Sequence, residues 1–177
     1  HRDLHSFPTR RSSDLFGESL GLDSERIYSD FQKMVHAELN RDDGIQVAGI
    51  MTPNSTHYTI AKTFIEAGFH VILEKPITTT TGEALDLMQL AEEKNVLCAS
   101  SYGYSGYPMI RQARAMVAGG ELGEIRVVQT EFAHGNCATA VEKHSEGAAW
   151  RNDPKTSGGT FVLGDLGTHA LDRKSVV

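Results

Sequence analysis

The 177 residues carry 17 Lys and Arg against 23 Asp and Glu, a formal net charge of −6, with 40% apolar and 23% charged side chains. That is ordinary globular composition: no run approaches the ~18 consecutive apolar residues of a membrane span, and the acidic balance disfavours a nucleic-acid partner, which calls for a basic patch. Two cysteines, Cys98 and Cys137, cannot build a disulfide framework or a cysteine-rich zinc site, so a reducing, cytoplasmic setting is the simpler expectation.

The two ends differ from the body. Residues 1–15, HRDLHSFPTRRSSDL, have no helical or strand period and carry three Arg against two Asp. Residues 173–177 begin Arg173-Lys174, whereas 16–172 hold 12 basic and 21 acidic side chains, a net of −9. The first segment lacks the apolar stretch of a secretory signal, and an Arg- and Ser-rich transit peptide is one reading of it. The reading that fits both ends is translated sequencing-adapter read-through flanking an internal stretch of a longer protein. Both tails are then expected to be disordered or poorly packed.

Between them, strands and helices alternate. Phe16–Leu22 reads as the end of a helix capped by Gly21, and Ile27-Tyr28 as a very short strand. Asp30 is placed to cap a helix reaching Asn40, with Phe31, Met34, Val35 and Leu39 on one face. Gly44 breaks it. Val47–Met51 is a short apolar run, expected to be a strand buried on both faces. Asn54 or Ser55 caps a helix ending at Gly68, and Val71-Ile72-Leu73 is a strand whose C-terminal edge carries Glu74-Lys75-Pro76. A helix over 82–94 shows Ala84, Leu87, Met88 and Ala91 on its apolar stripe, and Val96–Ala99 is the next strand. Such alternation predicts an α/β fold, a doubly wound parallel sheet with right-handed crossovers. Past Tyr104 the pattern changes: a helix over Tyr107–Gly119, a longer strand over Glu124–Phe132, a loop-rich stretch to 160, and a helix opening at Gly164. A domain boundary is expected near 104.

Several groups of residues can carry chemistry. Thr52-Pro53-Asn54 with His57 lies where a strand ends and a helix begins, the edge at which open α/β sheets bind ligands; a plain capped turn explains the same residues. Glu74-Lys75-Pro76 sits at that edge one strand later. Its lysine is suited to an alkoxide or a ribose hydroxyl, or to a surface ion pair worth ~0–1 kcal/mol. Asp165, His169 and Asp172 follow an i, i+4, i+7 spacing that places all three on one helix face. A carboxylate beside an imidazole fixes its tautomer and suits it to accept a proton. A solvated capped helix, a buried structural pair and a metal site are the competing explanations, and no His- or Cys-rich partner segment supports the metal. Trp150-Arg151 can stack on and hydrogen-bond a ring. Tyr102, Tyr104 and Tyr107 suit either a sugar pocket or a packed seam. His36, His70, His134 and His144 have no partner pattern and read as structural or solvated.

The order of these features is specific. VAGIMTPNSTH, then VILEKP one helix later, then SGYPMIRQARAMVAGGELGEI, then AAWRNDP and SGGTFVLGDLGTHALD resembles the Gfo/Idh/MocA family of NAD(P)-dependent oxidoreductases, over essentially all of 16–172. The resemblance implies a Rossmann domain over 16–104, here without its first strand and G-x-G-x-x-G loop. It implies next, over 105–172, the start of an α/β domain whose open, mostly antiparallel sheet supports the substrate site and oligomer contacts. Lys75, Asp165 and His169 fall on positions that act on substrate, and Asp172 on a further position that often contacts substrate; Tyr104, from the tyrosine cluster, is taken as a second substrate contact. Thr52, Pro53, Asn54, His57, Glu74, Lys75 and Pro76 fall on the cofactor side, and Trp150-Arg151 near the nicotinamide end. A cis Lys75–Pro76 peptide also follows from the resemblance. The implied activity is hydride transfer between NAD or NADP and a sugar, polyol or related carbinol in a homo-oligomer, with no metal. The alternatives are an NAD-dependent glycoside hydrolase of the same fold and a non-catalytic sugar-binding relative. Without the phosphate-cradling loop, these 177 residues alone are expected to bind NAD poorly.

Overall fold

The computed structural model describes residues 17–131, 153–160 and 163–174. The chain divides into two compact units, His1–Gln46 and Val47–Val177. Residues 1–15 and 175–177 of the two tails expected to be disordered, with His134, Cys137, His144 and Trp150-Arg151, lie outside the described residues; Arg173 and Lys174, also expected in a disordered tail, are instead the last residues of a helix.

In the first unit, Gly21 ends a helical turn with φ +70°, and a 3₁₀ turn spans Ser24–Arg26. Helix α1 spans Phe31–Leu39, with the Asp30 carboxylate accepting from the Gln32 and Lys33 amides as its cap. Ile27-Tyr28 is loop, not strand, because the described residues of this unit contain no strand for it to pair with. The apolar stripe is also narrower than its spacing suggests. Leu39 is exposed and Glu38 is buried in its stead. Glu38 accepts from Arg26 Nε (3.1 Å) and Nη2 (2.6 Å), the Tyr28 hydroxyl (2.8 Å) and the Ile45 amide (3.1 Å). Burial pushes its carboxyl up, but these bonds and the guanidinium charge outweigh that and hold it below the ordinary carboxylate range. Gly44 closes the turn after α1, where a Cβ would stand 2.2 Å from the Glu38 carbonyl oxygen, so no other residue fits.

The second unit starts with three parallel strands in the order β1 (Val47–Ile50), β2 (His70–Glu74), β3 (Cys98–Ser101). Their register pairs Val47 with His70, Val71 with Cys98 and Glu74 with Ser101. The crossovers are helices α2 (Asn54–Glu66) and α3 (Thr81–Lys94). Ala48, Ile50, Val71 and Leu73 are buried with Ile60, Ala61, Phe64 and Ile65 of α2 and Leu87 and Ala91 of α3. The opposite sheet face carries Val47, Met51 and Ile72, all exposed. β1 is therefore buried on one face only, since no described element of this unit covers the other.

Several boundaries differ from the sequence-based expectation. Neither Asn54 nor Ser55 caps α2; Pro53 holds the cap position, and Asn54 is the first helical residue. β3 begins two residues later than expected. Asn95, in the left-handed region at φ 54°, closes α3, the Val96 amide bonds back to Ala91, and the Leu97 amide bonds to Nδ1 of His70. That last bond gives His70 a structural role. Thr80 and Glu83 form a reciprocal capping box on α3. Thr80→Ala is accordingly expected to cost about 1 kcal/mol in urea unfolding, and a cost near zero would show that the box is not formed in solution.

After β3 a 3₁₀ turn (Gly103–Gly106) leads to α4 (Pro108–Ala118). The strand expected over 124–132 is not formed over its described part, 124–131, which is exposed. A lone strand leaves its amides and carbonyls without ladder partners. Helix α5 is one turn, Pro154–Ser157. The helix expected from Gly164 is two pieces, a π-helical turn over Leu163–Gly167 and α6 over Thr168–Lys174. The regular i, i+4 geometry assumed for Asp165 and His169 is thus widened between them.

Candidate active site

The site is built at the C-terminal ends of β2 and β3. Glu74 is the last residue of β2, and its carboxylate accepts the hydroxyl of Ser101, its register partner on β3. The chain then turns through Lys75 and a cis peptide to Pro76. The lysine ammonium donates to the Asp165 backbone carbonyl at 2.7 Å and pairs with the Asp165 carboxylate. The Lys75 side chain is 12% exposed and that of Asp165 39%. One end of the pair is therefore sheltered, and the carboxylate is open to an approaching group.

The link from β3 to α4 meets α6. His169 is buried, with its ring 4.6 Å from the Tyr104 ring and 5.8 Å from that of Tyr102, both edge-on. Tyr104 packs in turn on Tyr107 at 5.6 Å. The Ser105 hydroxyl donates to the Asp172 carboxylate. Residues ~65–90 positions apart in sequence thus meet in two adjoining sets, Lys75 with Asp165, and Tyr104 and Ser105 with His169 and Asp172.

The residues expected on the cofactor side divide. Thr52 and Pro53 stand half-buried at the end of β1, beside Met51. Asn54 and His57 are buried and turned inward. The Asn54 amide donates to the Ser157 carbonyl at 2.9 Å, and both His57 ring nitrogens face carbonyls, Pro76 from Nδ1 at 2.9 Å and Thr52 from Nε2 at 2.8 Å. The Thr56 hydroxyl closes the turn on Thr52 Oγ1 (2.6 Å) and the Pro53 carbonyl (2.7 Å). Sequence reasoning missed Ser101, Ser105 and Ser157. The one usable signal was register, which sets Ser101 opposite Glu74. Among the described residues, no group of three or more His, Cys, Asp or Glu is arranged to hold a metal ion.

Parallel strand ends crossed by helices, with a lysine–aspartate pair and a tyrosine-packed histidine beyond them, describe the ligand-binding edge of a partial Rossmann-type sheet. The family model described as "Oxidoreductase family, NAD-binding Rossmann fold" matches residues 8–102, and the Gfo/Idh/MocA C-terminal domain matches 110–173. The chain belongs to the Gfo/Idh/MocA oxidoreductase family. It is 49% identical over 155 residues to the uncharacterized oxidoreductase YfiI of Bacillus subtilis, covering 87% of this chain and 39% of that protein. An inositol dehydrogenase homolog of Azotobacter vinelandii complexed with NAD+ is 44% identical with a TM-score of 0.90, over 95% of this chain and 43% of that one. The homolog's complex with NADH and myo-inositol gives 42% identity and a TM-score of 0.85, over 94% and 42%. The chain spans about two fifths of the length of these relatives.

Proposed function

We propose that the complete protein is an NAD(P)-dependent dehydrogenase that oxidises a secondary hydroxyl of a polyol or sugar. The observation that carries this reading is the meeting of Lys75 with Asp165 across 90 residues of sequence, at the strand ends where such sheets bind ligands. The myo-inositol in the Azotobacter homolog supports the polyol class. The residues present fit the nicotinamide side of a dinucleotide: open strand ends at Thr52 and Pro53, and Glu74 beside Lys75. Trp150 and Arg151 are proposed to complete that side.

The dinucleotide, held on this side by Thr52, Pro53 and Glu74, would supply the hydride acceptor. His169 takes the proton of the substrate hydroxyl as the carbinol carbon loses hydride, so the alcohol becomes a carbonyl and one proton remains on the protein. Lys75 stabilises the negative charge that grows on that oxygen. Asp165 holds Lys75 and orients the imidazole, while Asp172 and Tyr104 contact the substrate's other hydroxyls. We assign residues 16–104 to the cofactor domain and 105–172 to the start of a substrate domain with an open, mostly antiparallel sheet. The separate matches to 8–102 and 110–173 support that division. A cytoplasmic homo-oligomer is proposed with it.

The test is a steady-state assay of the complete protein with NAD+ and NADP+ against a panel of inositols and sugars. Reduced nicotinamide should accumulate in step with oxidised product. Sugar release from a glycoside without net reduction would instead establish a hydrolase, and saturable binding without turnover a non-catalytic relative.

A further inference from the structure

Asn54 and His57 lie one turn apart at the start of α2, and each fixes a different side of the Lys75–Asp165 pair. His57, fully buried, reaches the carbonyl of Pro76, the residue after Lys75, and with its other nitrogen the carbonyl of Thr52. Asn54 reaches the carbonyl of Ser157, the last residue of α5, eight positions before Asp165. The next residue, Gly158, has φ +89°, and a Cβ there would lie in ordinary van der Waals range of Thr79.

The chemistry of these bonds is directional. A carbonyl oxygen only accepts, so Asn54 must present its NH₂ to Ser157, and His57 must present N–H. A neutral imidazole holds one of its two carbonyls by a donated bond, and a doubly protonated one holds both. His57, with both ring nitrogens facing carbonyls, has no ring nitrogen left for a cofactor unless a buried bond is broken; Asn54 keeps its Oδ1 and a second N–H, so its assignment rests on its burial and on the bond to Ser157.

We propose that Asn54 and His57 are positioning residues, whose paired bonds to the Pro76 and Ser157 main chain set the alignment of Lys75 with Asp165, and are not ligands of the cofactor. The inference rests on the dehydrogenase reading for its effect on rate, but not for its effect on Lys75 itself. One turn of one helix holds the chain beside the lysine and the chain leading to its aspartate. Neither loop can then shift without straining a bond to the same rigid element.

The isosteric variant Asn54→Asp tests this in the complete protein, because it keeps the shape and turns the donor into an oxygen facing Ser157. His57→Asn is the companion variant, and Ile65→Val, fully buried at the far end of α2, controls for lost stability. Four quantities are read: kcat, NADH affinity by nucleotide fluorescence, melting temperature, and the rate at which Lys75 is acylated by an amine reagent, mapped by mass spectrometry. Asn54→Asp and His57→Asn are expected to lower kcat by up to ~10²-fold, the cost of a misplacement near 1 Å. Lys75 should acylate faster while NADH affinity stays the same. Ile65→Val should melt earlier yet keep both kcat and Lys75 protection. Loss of NADH affinity with Lys75 still protected would overturn the proposal in favour of cofactor ligands. Asn54→Asp behaving like Ile65→Val would overturn it in favour of a merely structural bond. If His57→Asn does not fold, Asn54→Asp decides alone. If Lys75→Ala leaves turnover intact, the dehydrogenase reading fails, and the acylation contrast still decides the positioning.

Discussion

Replacing Glu38 by alanine is expected to destabilise the unit that contains α1 by about 3 kcal/mol, a large effect for one residue. The side chain is 1% exposed and takes bonds from Arg26, Tyr28 and Ile45, which lie on either side of the helix in sequence. Removing the acceptor leaves a guanidinium, a hydroxyl and an amide without their partner at once. The figure sits at the lower end for a broken buried pair, because Arg26 remains 27% exposed and also reaches Asp43 at 3.5 Å. The same network predicts the acid response. Glu38 binds its proton less readily folded than unfolded, where its value is near 4.5, so its contribution is complete above that value. It is lost as pH falls through the depressed folded value. Urea unfolding of the parent and Glu38→Gln should show a gap at pH 7 that closes progressively in acid. A gap independent of pH would mean that the carboxylate charge is not what holds these loops.

Glu38 also marks where the sequence stops being legible. Its helix follows from Asp30 and the 3.6-residue period, but the period counts a glutamate as solvent-facing. Only the loops beside it, bringing Arg26 and Ile45, make burial favourable. The same division runs through the second unit. Helices with a clear apolar stripe, such as α3 with Leu87 and Ala91, lie close to where expected. β3 was displaced by two residues because its start depends on a bond from Leu97 to His70, 27 positions away, and its end is polar. The stretch 124–131 has a strand's alternation and no strand, since pairing is a property of two segments. At the site, residue types and order pointed to Lys75, Asp165 and His169. What no local pattern contains is direction. Asn54 looks the same as a cap and as a donor to Ser157, and the π turn between Asp165 and His169 has no sequence period to announce it.

In the complete protein, Lys75→Ala and His169→Asn are each expected to lower kcat by ~10²–10⁴, with little change in nicotinamide affinity, the range of a lost general acid or base. The two should fail for different reasons. Lys75 is sheltered, with its charge fixed on Asp165 at both carbonyl and carboxylate, and a preorganised charge in a water-poor setting is worth most where negative charge develops. Its loss should therefore depress turnover across the whole pH range. His169 is proposed to take the substrate's proton, so His169→Asn should lower kcat through a lost proton acceptor rather than a lost positive charge. Asp165→Asn separates the roles further. The backbone carbonyl still holds the lysine at 2.7 Å, while the carboxylate that keeps the site's charge balanced is gone. A loss smaller than that of Lys75→Ala is expected. With Lys75 and His169 acting on one hydroxyl, as proposed, the double variant should fall little below the worse single one. Fully multiplicative losses would place the two side chains in separate sites, and undiminished turnover in the double variant would remove both from the chemistry.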